Sequence, residues 1–140
     1  MKVKKVVEIK THYSFEAPVL SAGKKNGRSI KLEEFHESLD LNSFLVPDPH
    51  HIFLVRVSGE SMIDKQIYDG DILVVNRKEQ PEQGKIVIAS LNGEMAVKIF
   101  SIQDEKVYLV SANKKFLPIE IEGFMEFQIQ GVVKHVIHSI

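Results

Sequence analysis

KIVIASLNGEMAVKIF, residues 85–100, decides how this chain folds. Two apolar runs, 85–91 and 94–100, flank Asn92–Gly93, the strongest short-range signal for a two-residue β-hairpin. A loop of that length fixes the register. Leu91 faces Glu94, Ser90 faces Met95, Ala89 faces Ala96, Ile88 faces Val97, and Val87 faces Lys98. Side chains alternate along a strand, so Lys98 shares its face with Ala96 and Phe100, and across the ladder with Val87 and Ala89. An ammonium in that setting loses solvation, and its pKa falls. The same pattern also suits a lysine whose stem lies on apolar surface while its head reaches water.

Working outward, IFLVRVS (52–58), DILVVNR (71–77) and KVYLVSA (106–112) read as further strands, and EFQIQGVVKHVIHSI (126–140) as one or two more. Short strands at regular spacing predict a mainly β, compact barrel-type domain. Pro47–Asp48–Pro49 marks a rigid break before them. Residues 11–30 contain Pro18, Gly23, Asn26 and Gly27 without sustained periodicity, and read as an extended N-terminal arm. Residues 1–10 alternate charged and apolar, which suits an edge strand, and residues 31–38 suit one or two helical turns. The chain is thus divided into an arm and linker, 1–39, and a β domain, 40–140.

Composition narrows the function classes. The chain has 140 residues, 44% of them hydrophobic and 26% charged, with a formal net charge of -1. A free-standing nucleic-acid binder carries a clear basic excess, so no direct sequence-specific nucleic-acid binding is expected. Lys2, Lys4 and Lys5, and again Lys24 and Lys25, read as solvated arm residues. With no cysteine, disulfides, thiolate nucleophiles and cysteine-ligated zinc are excluded. The stretch MKVKKVVEIK is too short and interrupted for a signal peptide or membrane span, so a cytoplasmic protein without a membrane association is expected.

Ser61 lies in Ser58–Gly59–Glu60–Ser61–Met62, just after a strand. Glycine permits a sharp turn there, and a serine on such a turn has backbone N–H groups nearby for an oxyanion. The same residues suit an ordinary turn or a helix N-cap. A general base must be neutral to accept a proton, which a free lysine, with a pKa of about 10.4, is not at neutral pH. Spacing alone leaves a Ser-His-Asp triad with Ser61 open, but nothing selects a partner histidine. His50–His51 sits beside a proline break, while His12 and His36 are scattered. His135 and His138 are three apart in a strand-like run and point to opposite faces, so no metal site and no cofactor are expected.

Residues 53–100 carry several motifs in order: Ser58–Gly59–Glu60–Ser61–Met62, then Asp69–Gly70–Asp71, then Val97–Lys98 just under 40 residues after the serine. In these the chain resembles the LexA/UmuD family of self-cleaving proteins. The resemblance implies a LexA-like or UmuD-like barrel and a serine endopeptidase with a serine–lysine dyad. Ser61 would be the nucleophile, Lys98 the general base and acid, and the N–H groups of Glu60 and Ser61 the oxyanion donors. It also implies a cleavage site at Ala22–Gly23, where minimal side chains let the backbone approach the serine.

The short arm is closest to the UmuD branch, although the stretch from Gly23 to Ser61 is a few residues longer than in that pattern. That branch implies a homodimer of the SOS response. A RecA filament on single-stranded DNA would stimulate its cleavage, and the trimmed dimer would join a UmuC-like Y-family polymerase for error-prone translesion synthesis. Three other readings remain open. One is a non-enzymatic polymerase-binding module, and a second is a signal peptidase-like enzyme acting on other proteins. The third is a LexA-type repressor fragment, for which the chain leaves no room ahead of the β domain for a DNA-binding helix-turn-helix.

Overall fold

In the computed structural model, residues 1–7, 16–18, 24–25, 28–29 and 38–140 are described. The strands in chain order are β1 (Lys2–Val7), β2 (Glu16–Pro18), β3 (Lys24–Lys25), β4 (Arg28–Ser29), β5 (Ser38–Asp40), β6 (Ile52–Ser58), β7 (Ile72–Asn76), β8 (Ile86–Leu91), β9 (Glu94–Gln103), β10 (Lys106–Val110), β11 (Ile119–Glu120) and β12 (Phe127–Ile137). Among the described residues, a short α-helix, α1 (Leu41–Leu45), and a 3-10 turn, Ile63–Lys65, join them.

The Asn92–Gly93 turn forms as its residues require. Asn92 has φ +50° and Gly93 has φ +85°, both positive as a type I′ turn demands. The β8–β9 register matches the sequence reading pair for pair, from Leu91↔Glu94 to Val87↔Lys98. All pairings are antiparallel. They run β1-β6-β7-β12-β8-β9-β10-β11, and β1 also pairs with β9 at Lys2↔Ala96. That last pairing closes β1, β6, β7, β12, β8 and β9 into a barrel, with β10 and β11 as a flap. The mainly β, barrel-type expectation is borne out.

Closure needs one strand to serve two neighbours. β12 pairs with β8 through its first half and β7 through its second, with irregularities between Ile129 and Gly131 and between Val133 and His135. Gly131 sits at the crowded crossing. A Cβ there would lie 2.6 Å from a Val75 methyl and 2.8 Å from the Asn76 carbonyl, so no larger residue fits without backbone movement.

Strand alternation sends side chains to two apolar clusters. Val55, Val57, Met62, Ile67, Leu73, Val75, Ile88 and Val97 fill one. Val87, Ala89, Phe100, Leu109 and Val132 fill the other. Ile88 and Val97 go one way, while Val87, Ala89 and Phe100 go the other, so the β8–β9 ribbon is buried on both faces. Lys98 lies on the second face, as its register requires.

The chain forms two compact units, one of residues 1–9 and 49–140, the other of residues 10–48. The barrel unit takes in β1, which the sequence division at residue 39 left with the arm. β1 pairs along β6 from Lys2↔Ser58 to Val7↔Leu54. In the second unit β2 pairs with β5 and β3 with β4. The helical turns expected over 31–38 lie outside the described residues up to 37, and Ser38 begins a strand. A short helix forms at 41–45, where Asp40 caps it by accepting from the Asn42 N–H at 3.0 Å and from the Ser43 hydroxyl at 2.9 Å.

Candidate active site

Ser61 stands on a turn built by its neighbours. β6 ends at Ser58, and Gly59 follows with φ +102°, a left-handed conformation that glycine adopts without a side-chain clash. The Gly59 N–H donates to the Asp69 carboxylate at 2.9 Å. The loop Asp69–Gly70–Asp71 returns to the strand through Gly70 N–H to the Val57 carbonyl at 2.9 Å and Val57 N–H to the Asp71 carbonyl at 3.0 Å. One Asp71 carboxylate oxygen accepts from the Tyr68 N–H at 2.8 Å, and the other meets His138 Nδ1 at 2.6 Å. The two aspartates of this motif are therefore structural, and each satisfies backbone groups of the turn region.

Below the serine, Met62 is fully buried and anchors the turn in the core. Its sulfur accepts from the Ala112 N–H at 3.4 Å. The Glu60 carbonyl accepts from Asn113 Nδ2 at 2.9 Å. Ser61 itself is 2% exposed.

Lys98 approaches from β9. Its Nζ donates to Ser111 Oγ at 2.8 Å, and burial holds its pKa below the ordinary lysine range. Lys98 is half-buried, so its head group is partly desolvated. Ala89, Leu91, Ala96, Leu109 and Ile119 line a cavity of about 220 Å³ beside it. A second hollow of about 260 Å³ is lined by Ser58, Gly59, Glu60, Ser61 and Phe116.

Met1 and Lys2 border both hollows. The Met1 amine donates to Ser61 Oγ, and the Met1 carbonyl accepts from the Val97 N–H at 2.8 Å. Desolvation first, then the charges of Lys98 and Lys2, lower the amine's pKa from 8.0 to about 6. In this state the hydroxyl of Ser61 is held by Met1, and the amine of Lys98 by Ser111.

Of the residues singled out from the sequence, Ser61 and Lys98 line two separate hollows, both bordered by Met1 and Lys2, and Glu60 belongs to the serine turn. Ala22 and Gly23 lie outside the described residues. His138 falls just after β12 and pairs with Asp71, while His135 lies within β12. Among the described residues there is no group of three or more histidine or acidic side chains arranged to hold a metal. No helix of the described residues is long and apolar enough to cross a membrane.

Sequence reasoning missed Met1, Ser111 and Asn113. The turn joining β9 to β10 would have placed the last two. Its residues, Asp104 and Glu105, have φ +50° and +64° without a glycine to announce them.

The barrel and its motifs define a known class. The chain matches the family described as Peptidase S24-like over residues 18–134, and it belongs to that family. Within it, the chain is 41% identical to Protein ImpA of Escherichia coli over 103 residues, covering 73% of this chain and 69% of that one. It is 36% identical to the LexA repressor of Xylella fastidiosa (strain M23) over 118 residues, covering 82% of this chain and 54% of the repressor. The chain therefore spans about half the length of the LexA repressors it matches. The family resemblance read from residues 53–100 is borne out.

Proposed function

We propose that this chain is a self-cleaving serine endopeptidase of the SOS response that cuts its own arm between Ala22 and Gly23. The observation that carries the reading is a buried serine on a glycine turn and a lysine whose burial favours the neutral form, with the Met1 amine bonded to the first and feeling the charge of the second. Neutral Lys98 takes the proton from Ser61 Oγ. The oxygen attacks the Ala22 carbonyl carbon, and the N–H groups of Glu60 and Ser61 hold the oxyanion. The bond to Gly23 breaks, and Lys98 returns its proton to the leaving amine. Water then cleaves the acyl ester with Lys98 again as base, releasing the arm, residues 1–22, and leaving residues 23–140 as the processed chain.

Two features of the site support this assignment. Met1 and Lys2 bind there as a strand, through Val97 N–H to the Met1 carbonyl and the pairing of Lys2 with Ala96 and Ser58. An extended peptide would add in the same way. The Met1 amine also rests on Ser61 Oγ and feels the Lys98 charge, as a leaving amine would. Cleavage requires Met1 to leave the serine first, which restrains an arm that its tether keeps at high effective concentration.

A RecA filament on single-stranded DNA would shift the population toward the cleavable state. The processed chain, as a cytoplasmic homodimer, would then serve a UmuC-like Y-family polymerase. The LexA matches favour a second reading, the catalytic part of a repressor, which would use the same dyad. The test is the rate of self-cleavage without RecA across pH 7 to 10. Lys98 reacts only when neutral, so the rate should climb with pH and level off. A rate flat over that range would contradict lysine as the base.

A further inference from the structure

We infer that Ser111 is the positioning residue of the Lys98 base, an inference that rests on the dyad proposed above. β9 and β10 pair from Lys106↔Gln103 to Val110↔Ile99. One more step of that ladder sets Ser111 against Lys98, and the Nζ–Oγ distance of 2.8 Å shows the pair engaged. Ser111 is only 8% exposed, so water competes weakly for this contact.

The next two residues reach the other half of the site. The Ala112 carbonyl accepts from the Asp64 N–H at 2.8 Å, and Asn113 Nδ2 donates to the Glu60 carbonyl at 2.9 Å. Residues 111–113 therefore join the strand of the base to the turn of the nucleophile.

The chemistry of a neutral amine explains why this matters. It has two N–H donors and one lone pair, and only the lone pair can take the serine proton. A fixed acceptor on one N–H removes most of the freedom of rotation about the Cε–Nζ bond. Ser111 Oγ is that acceptor, and it limits the directions in which the lone pair can point. The hydroxyl also stabilises the ammonium more than the amine, because the hydrogen bond is stronger to a charged donor. It opposes the desolvation that lowers the lysine's pKa, so it tunes the base as well as aiming it.

Single-turnover self-cleavage of the full chain, followed from pH 6 to 11, tests this with Ser111→Ala and Ser111→Thr. Ser111→Ala should lower the plateau rate by about 10- to 100-fold through misalignment. It should also move the rising limb to lower pH. Ser111→Thr keeps a hydroxyl and should restore both features. The same limb movement should appear in the NMR titration of 13C-labelled Lys98 in a Ser61→Ala background, where no cleavage intervenes. A wild-type chain that never cleaves would overturn the dyad itself. A cleaving wild type with an unmoved limb in Ser111→Ala, or a Thr variant no better than Ala, would overturn this inference alone.

Discussion

The turn that carries Ser61 and the strand that carries Lys98 are held in different ways. The turn is tied at many points: Asp69 to Gly59, Asp71 to Tyr68, Asn113 to Glu60, and Met62 sunk in the core. Among the described residues, the lysine's head group has one polar tie, Ser111, on an apolar wall. A nucleophile, the role proposed for Ser61, has to stay in place, and redundancy provides that. A base, the role proposed for Lys98, has to change protonation state, and a single adjustable contact leaves its pKa open to tuning by burial.

Breaking the turn should have the largest effect. Met62→Ala removes a fully buried side chain and should cost about 2–5 kcal/mol of stability, read by denaturant unfolding. A loss below about 1 kcal/mol would mean that the turn does not depend on its core anchor.

Asn113→Ala separates placement from stability. The Glu60 carbonyl and the Ser61 N–H belong to one planar peptide and point in opposite directions. Freeing the carbonyl therefore lets the proposed oxyanion donor turn away. Self-cleavage should slow by roughly tenfold or more, whereas unfolding should change by only about 1 kcal/mol. An unchanged rate would remove Asn113 from the account.

On the strand side, Glu105→Gly relieves a positive φ of +64° in the turn that aligns β10 with β9. It should stabilise the chain by a few tenths to about 1 kcal/mol. Destabilisation would show that the Glu105 side chain matters more than its backbone.

A further effect is electrostatic. The Met1 amine titrates near 6 when folded and near 8.0 when unfolded. Between those values the unfolded chain binds more protons, so stability rises with pH across that window. Below it both states are protonated and the penalty is complete; above it both are neutral and it is gone. Thermal melts at pH 6 and pH 8 should show this rise, and acetylating the amine should flatten it. A rise unchanged by acetylation would assign it to other groups.

What could be read from residue order follows the same division. The β8–β9 register was legible because Asn92–Gly93 fixes its own turn, and it placed Lys98 on the Val87, Ala89 and Phe100 face. The strand at 52–58 and the serine turn were legible from alternation and Gly59. β11, two residues long after Pro118, and α1, which depends on the Asp40 cap, carried no periodic signal. Met1 at Ser61 was not legible either. The contact spans 60 residues, and nothing local to either residue announces it. Ser111 waited on a turn whose left-handed residues are Asp and Glu, which a glycine-based reading passes over.

The central claim is that Ser61 and Lys98 together cut the chain at Ala22–Gly23. Its most direct test is intact-mass measurement of wild type, Ser61→Ala and Lys98→Ala after incubation at pH 10. The account predicts a fragment of residues 23–140 from the wild type and only full-length chain from both variants. The same fragment from Ser61→Ala would contradict it.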